Sequence, residues 1–223
     1  GTNFAANNLP GALSVIAIAG KSNLFNAPET YMNKISANVR ENKVIDLDFS
    51  IKENIYNLCE YKNKKPKNIT VCILDRPRHK KIIEELINLN VNLKLISDGD
   101  VSGALLVTDV KYEVDLFLGI GGGPEGVLAA SALDSFNCFF QGKFLFETDT
   151  DKARAKKMGI KNFDKKYELN EIISGDSIFC ATGITSGDLV SGIKIVDSEF
   201  YSETLITHKS TGLKKIIKTK QKI

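Results

Sequence analysis

Residues 13–19 (LSVIAIA) form a short apolar run after the turn-like Asn7-Asn8-Leu9-Pro10-Gly11, which predicts a strand. Residues 31–67 have a polar texture, broken by a predicted helix at 51–61 with Ile55, Leu58 and Cys59 on one side. The lysine-rich stretch 62–67 reads as a solvated loop and linker. Beyond it the pattern sharpens. Residues 69–74 (ITVCIL) and 91–96 (VNLKLI) read as strands around a helix at 79–90, where Ile82, Ile83, Leu86 and Ile87 recur at helical spacing. A helix at 101–107, a strand at 114–120 and a helix at 124–133 follow, then strands at 138–146 and 177–181 around a charged helix at 149–158. Apolar or alternating runs across 193–207 suit edge strands. Strand and helix in alternation predict a layered α/β architecture.

Composition excludes several function classes. The chain has 223 residues, 43% of them apolar and 26% charged, enough to bury a core, and a net charge of +3 is too small to argue for nucleic acid. The basic tail at 214–222 reads as a solvated terminus. Cys59, Cys72, Cys138 and Cys180 form no CxxC pair and only His79 and His208 accompany them, so a zinc cluster is not expected; free thiols in a reducing cytosol are. No run approaches the ~20 apolar residues that span a bilayer, and no signal peptide opens the chain. The expected location is cytoplasmic. The opening Gly1 suggests a processed or truncated start, or a cloning remnant.

Three loops at predicted strand ends carry chemistry, since ligands of layered α/β sheets collect there. Asp75-Arg76-Pro77-Arg78-His79 sets two guanidinium forks beside a stiff turn, a phosphate clamp; otherwise they are surface arginines whose charge opposes the following helix dipole. Ser97-Asp98-Gly99-Asp100 suits sugar hydroxyls or a divalent metal, or is a turn with a side-chain N-cap. Gly121-Gly122-Gly123-Pro124-Glu125-Gly126 lets backbone approach an anion and is not the dinucleotide fingerprint. Glu125 either complements the helix dipole or, beside a phosphate loop, binds a bridging metal. The 180–188 loop reads as a structural turn. Tyr31 stacks on a substrate or packs.

In this order LDRPRH, ISDGD, GIGGGPEGVLAA and CATGITSGDL, with the earlier GTNFAANNLPGALSVIAIA and APETYMNKI, resemble the class II fructose-1,6-bisphosphatase family over nearly the whole chain. The resemblance implies a layered α-β-α-β-α sandwich of the lithium-sensitive sugar and inositol phosphatase superfamily, with its N-terminal portion missing. It implies a division into residues 1–67, the remainder of a metal-bearing phosphatase domain, and 68–223, an α/β sugar-phosphate-binding domain with returning edge strands.

By the same resemblance Gly1 and Thr2 match the end of a signature in which the Thr orients the attacking water. Tyr31, Arg76, Pro77, Arg78, Asp98, Gly99, Asp100 and Gly122 match substrate-binding positions, and Glu125 a metal ligand. The other metal-binding carboxylates of the family have no counterpart here. The implied activity is metal-assisted hydrolysis of the 1-phosphate of fructose 1,6-bisphosphate with Mn²⁺ or Mg²⁺, in gluconeogenesis or glycerol metabolism. Homo-oligomerisation is left open. The rivals are a phosphatase for another sugar or inositol phosphate, and a non-catalytic sugar-phosphate-binding module.

Overall fold

The computed structural model describes residues 1–41 and 43–222. A short helix, α1 (Thr2–Ala6), precedes the strands β1 (Leu13–Ala19) and β2 (Tyr31–Ala37). Helix α2 (Ile51–Lys62) starts at a capping box: the Ser50 hydroxyl accepts from the Glu53 N–H, and the Glu53 carboxylate accepts from the Ser50 N–H. Next come β3 (Thr70–Leu74), α3 (Lys80–Asn88), β4 (Asn92–Ile96), α4 (Asp100–Leu105), β5 (Leu116–Gly122) and α5 (Gly123–Phe136). The chain continues through β6 (Phe139–Leu145), α6 (Asp149–Lys157), β7 (Lys166–Glu168), α7 (Leu169–Ile172) and β8 (Ser177–Gly183). It ends with β9 (Lys194–Val196), β10 (Glu199–His208) and β11 (Leu213–Lys222).

Two sheets result. The six-stranded sheet has the order β4-β3-β5-β2-β6-β7; β3 runs parallel to β4 and β5, and β2 antiparallel to β5 and β6. The other sheet is antiparallel, in the order β1-β8-β10-β11 with β9 against β10. Helices α2 and α3 cover the outer face of the first sheet, where Ile55, Leu58 and Leu86 meet Ile35, Ile73 and Leu116. Helix α5 lies between the sheets. Its Ala129, Ala130 and Ala132 are buried in a cluster with Phe117 and Phe140 of one sheet and Phe179 and Leu205 of the other. A helix apolar on all sides must be enclosed, and small side chains let two sheets close on it. The layers therefore run helix, sheet, helix, sheet. The outer face of the antiparallel sheet carries Ile16 and Ile18, at 53% and 55% exposure. No described helix is long and apolar enough to cross a membrane.

Four expectations need adjustment. Residues 31–37, read as polar, form β2, which is paired on both sides in the six-stranded sheet. Of the runs across 193–207, β10 is no edge: it lies between β8 and β11. An edge is formed instead by β11, the lysine-rich stretch expected to be a solvated tail. It is held by its ladder to β10 and by Lys218 and Lys220 facing Glu203 and Glu199 at 3.2 and 2.7 Å. Lysines along a free edge discourage pairing with another chain. Nor is the 62–67 stretch simply solvated: Lys64 and Lys62 reach the buried Asp115 at 2.7 and 3.1 Å. Burial pushes the Asp115 carboxyl up, but these lysines and the Thr70 N–H bring it below its ordinary value. The expected boundary at 67/68 falls between α2 and β3, and the segment before it supplies strands to both sheets.

Candidate active site

Because β3, β4 and β5 are parallel, the loops leaving their carboxyl ends meet on one side of the sheet. They enclose a cleft of about 310 Å³ lined by Arg76, Arg78, Asp98, Asp100, Gly122 and Glu125. Gly1 and Gly99 also line it. Antiparallel β2 begins at the same end, with Tyr31 opposite Gly122, so Tyr31 opens onto an adjoining cavity of about 540 Å³ that shares Gly122 and Glu125. Pro77, itself exposed, opens the turn Pro77–His79 and stiffens it. Thr2 is exposed at the start of α1 and lines neither cavity.

The two arginines differ in posture. The Arg76 guanidinium stands 4.0 Å from Asp98 Oδ1. Arg78 donates its Nε to the Ile120 carbonyl at 2.9 Å and lays its guanidinium over the Tyr31 ring at 4.9 Å. Fixing Nε and the guanidinium plane leaves the terminal nitrogens to meet an anion with little further loss of rotamer freedom.

Next to Arg78, His79 is fully buried, at 0% exposure. Its Nδ1–H donates to the Leu74 carbonyl at 2.7 Å, and its Nε2 accepts the Ile120 N–H at 2.7 Å. One face of Ile120 is thus held by Arg78 and the other by His79, tying the end of β5 to the end of β3. Gly119 approaches the imidazole with φ +150°, a conformation L side chains rarely adopt, and an added Cβ would stand 3.2 Å from Nε2. Both ring nitrogens serve the neutral tautomer, and burial together with Arg78 and Arg76 holds His79 below its ordinary 6.5 despite the two backbone bonds. An unfolded chain then binds more protons than the folded one below about pH 6.5, so this contribution is full at neutral pH and declines as pH falls through that value. We expect His79 to stay neutral in an NMR titration through pH 6.5, and His79→Leu to flatten the fall in denaturation midpoint between pH 7.5 and 5.5. A ring protonating at or above 6.5 would contradict the assignment.

In the loop after β4, Asp98 accepts the Gly99 N–H at 2.9 Å and lies 3.2 Å from the Gly1 nitrogen. Gly99, at φ +83°, stands at the N-cap of α4, where no side chain caps the helix, so the expected alternative of a side-chain cap does not hold. Asp100 is paired instead with the buried Lys34, which also donates to the Gly122 carbonyl at 2.8 Å. The glycines after β5 make room for this pair. A Cβ on Gly121 would collide with the Asp100 carboxylate and stand 3.1 Å from Lys34 Nζ, and one on Gly122 would collide with Glu125. The bare backbone of Gly121 and Gly122 thus leaves space for the Asp100 and Glu125 side chains while still lining the cleft.

Glu125, exposed in the first turn of α5, stands where the two cavities meet. A hard divalent cation takes six or more oxygens. Among the described residues no group of three or more His, Cys, Asp or Glu side chains is placed to hold a metal ion. Glu125 therefore does not make a metal centre with the neighbours it has here. The 180–188 loop does structural work: Thr185 Oγ1 donates to the Leu9 carbonyl at 2.6 Å and accepts the Ala12 N–H at 2.9 Å.

Sequence reasoning missed Lys34 and the packing role of His79. In YMNKISA the positions Met32, Lys34 and Ser36 share one strand face, and a lysine there is the signal that a strand assignment would have exposed.

The family described as bacterial fructose-1,6-bisphosphatase, glpX-encoded, matches residues 1–221. A protein of Synechocystis sp. named D-fructose 1,6-bisphosphatase class 2/sedoheptulose 1,7-bisphosphatase is 33% identical over 232 residues, covering 98% of this chain and 67% of its own. A protein of the same name from Microcystis aeruginosa is 34% identical over 219 residues, covering 92% and 64%. Another, from Synechococcus elongatus, is 33% identical over 232 residues, covering 98% and 67%. The chain thus spans about two thirds of the length of these relatives.

Proposed function

The chain belongs to the family of bacterial, glpX-encoded fructose-1,6-bisphosphatases, and on that premise we propose that it forms the sugar-bisphosphate-binding side of a phosphatase acting on fructose 1,6-bisphosphate. The products are fructose 6-phosphate and phosphate. One observation carries the reading: Arg76 and Arg78 and the carboxylates Asp98 and Asp100 line a single cleft. Cationic forks suit phosphate, and acceptor-only carboxylates suit sugar hydroxyls. The relatives' names also include sedoheptulose 1,7-bisphosphatase, and a seven-carbon bisphosphate offers the same two kinds of group.

On this reading Arg78 binds a phosphate with a guanidinium already oriented by Ile120 and Tyr31, and Arg76 adds a second cation to the same cleft. Asp98 and Asp100 orient the sugar so that the scissile phosphate is presented consistently, which is most of what a protein contributes to phosphoryl transfer. A divalent cation such as Mn²⁺ or Mg²⁺ belongs to the proposal only with oxygen ligands additional to Glu125, so no step is routed through it here. The absence of a three-ligand cluster among the described residues favours a second reading for the chain taken alone, a binding module without turnover. A cytoplasmic setting in gluconeogenesis or glycerol metabolism is part of the same proposal. The free cysteines accord with a reducing compartment; burial pushes the Cys72 and Cys138 thiols up to about 12.

Isothermal titration calorimetry separates these ideas from a generic anion site. Fructose 1,6-bisphosphate is expected to bind about tenfold more tightly than fructose 6-phosphate, because a second phosphate adds charge-assisted bonds. Equal affinities would remove the case for a two-arginine clamp.

A further inference from the structure

Lys34 is a charged residue at 1% exposure in the middle of β2, which nothing in the functional reading uses. Its strand neighbours in register are Gly119 on β5 and Gly142 on β6. Its ammonium ends at the meeting point of two loops that are distant in sequence, paired with the Asp100 side chain and donating to the Gly122 carbonyl. Space for it is kept by glycines on both sides. A Cβ on Gly121 would come within 3.1 Å of its Nζ, and one on Gly126 within 3.3 Å of its Cδ. A buried ammonium is costly unless it is paired and hydrogen-bonded, so the sheet keeps this one only while both loops hold their present positions.

We propose that Lys34 is the positioning residue of the cleft, locking the Asp98–Asp100 loop to the glycine loop and balancing the charge of Asp100. Two consequences follow from the geometry. Tying Asp100 Oδ2 to Lys34 directs its remaining acceptor capacity, so the sugar meets a carboxylate of fixed orientation. The charge balance matters as well. Arg76, Arg78 and Lys34 stand against Asp98, Asp100 and Glu125 around the cleft. Removing the Lys34 charge leaves that set net negative, which disfavours a phosphorylated ligand. The effect on ligand rests on the proposed function; the locking of the two loops does not.

The test uses Lys34→Met, which keeps the length of the side chain and removes the charge, in the 223-residue chain. In ligand-free ¹H–¹⁵N spectra its largest amide shifts are expected at Asp100, Gly121 and Gly122. In calorimetric titration its affinity for fructose 1,6-bisphosphate is expected to fall about tenfold or more, with cooperative unfolding retained. Unmoved loop amides, or an affinity within about twofold of the parent chain, would overturn the proposal. Should the parent chain bind no bisphosphate, the functional reading falls, and the ligand-free shifts decide the role of Lys34 by themselves. Should Lys34→Met fail to fold, Gly121→Ala takes its place, since its Cβ parts the pair without removing either charge. The same shifts and loss are expected, and a folded Gly121→Ala with unchanged loop amides would equally overturn it.

Discussion

Replacing Arg78 with alanine is expected to lower the affinity for fructose 1,6-bisphosphate by about 100-fold. Three contacts are lost together: the fork offered to phosphate, the bond from Nε to the Ile120 carbonyl, and the stack on Tyr31. A charge-assisted hydrogen bond contributes about 1.5–3 kcal/mol, and the freed Ile120 carbonyl loosens the end of β5 beside the cleft. Arg78→Lys restores the charge but neither the fork nor the Nε bond, so recovery of about tenfold is the most it should reach. Because Arg78 is exposed, the variant should unfold close to the parent midpoint, which separates lost binding from lost structure. Calorimetry with both variants checks this. An alanine variant that binds like the parent would place the phosphate elsewhere.

The second large effect concerns turnover. The 223-residue polypeptide alone is expected to bind fructose 1,6-bisphosphate without hydrolysing it, even with excess Mn²⁺. Its described residues assemble no three-ligand metal site, and one carboxylate such as Glu125 does not retain a hard divalent cation that needs several oxygens. Phosphate release measured with and without Mn²⁺, together with Mn²⁺ binding by electron paramagnetic resonance, checks the point. Mn²⁺-dependent release at rates of order 1 s⁻¹, an ordinary enzymatic value, would mean that a catalytic metal site exists which Glu125 does not mark.

Much of the fold was legible where a pattern is local. Strands β3, β4 and β5 are apolar runs, and α3 repeats its isoleucines at helical spacing, so each reads from its own residues. Strand β2 did not, because Asn33, Lys34 and Ser36 look solvent-facing. Lys34 and Ser36 are nonetheless buried, with partners supplied from elsewhere: Asp100, 66 residues beyond Lys34, and the Ala104 carbonyl, which accepts the Ser36 hydroxyl. Strand β11 was missed for the opposite reason. It is exposed along nearly its whole length, and only the ladder to β10 makes it a strand.

The same distinction governs the site. Its cleft-lining side chains lie contiguously after successive strands, so motif and topology together bring them to one cleft. His79 and Lys34 act through Ile120 and Asp100, 41 and 66 residues away, and no local pattern announces such pairings.

A crystal structure of the chain with fructose 1,6-bisphosphate tests the central claim most directly. The account predicts one phosphate within hydrogen-bond distance of the Arg78 terminal nitrogens, with Arg76 beside it and sugar hydroxyls on the Asp98–Asp100 loop. Bisphosphate bound only away from the carboxyl ends of β3, β4 and β5, with both arginines still solvated, would contradict it.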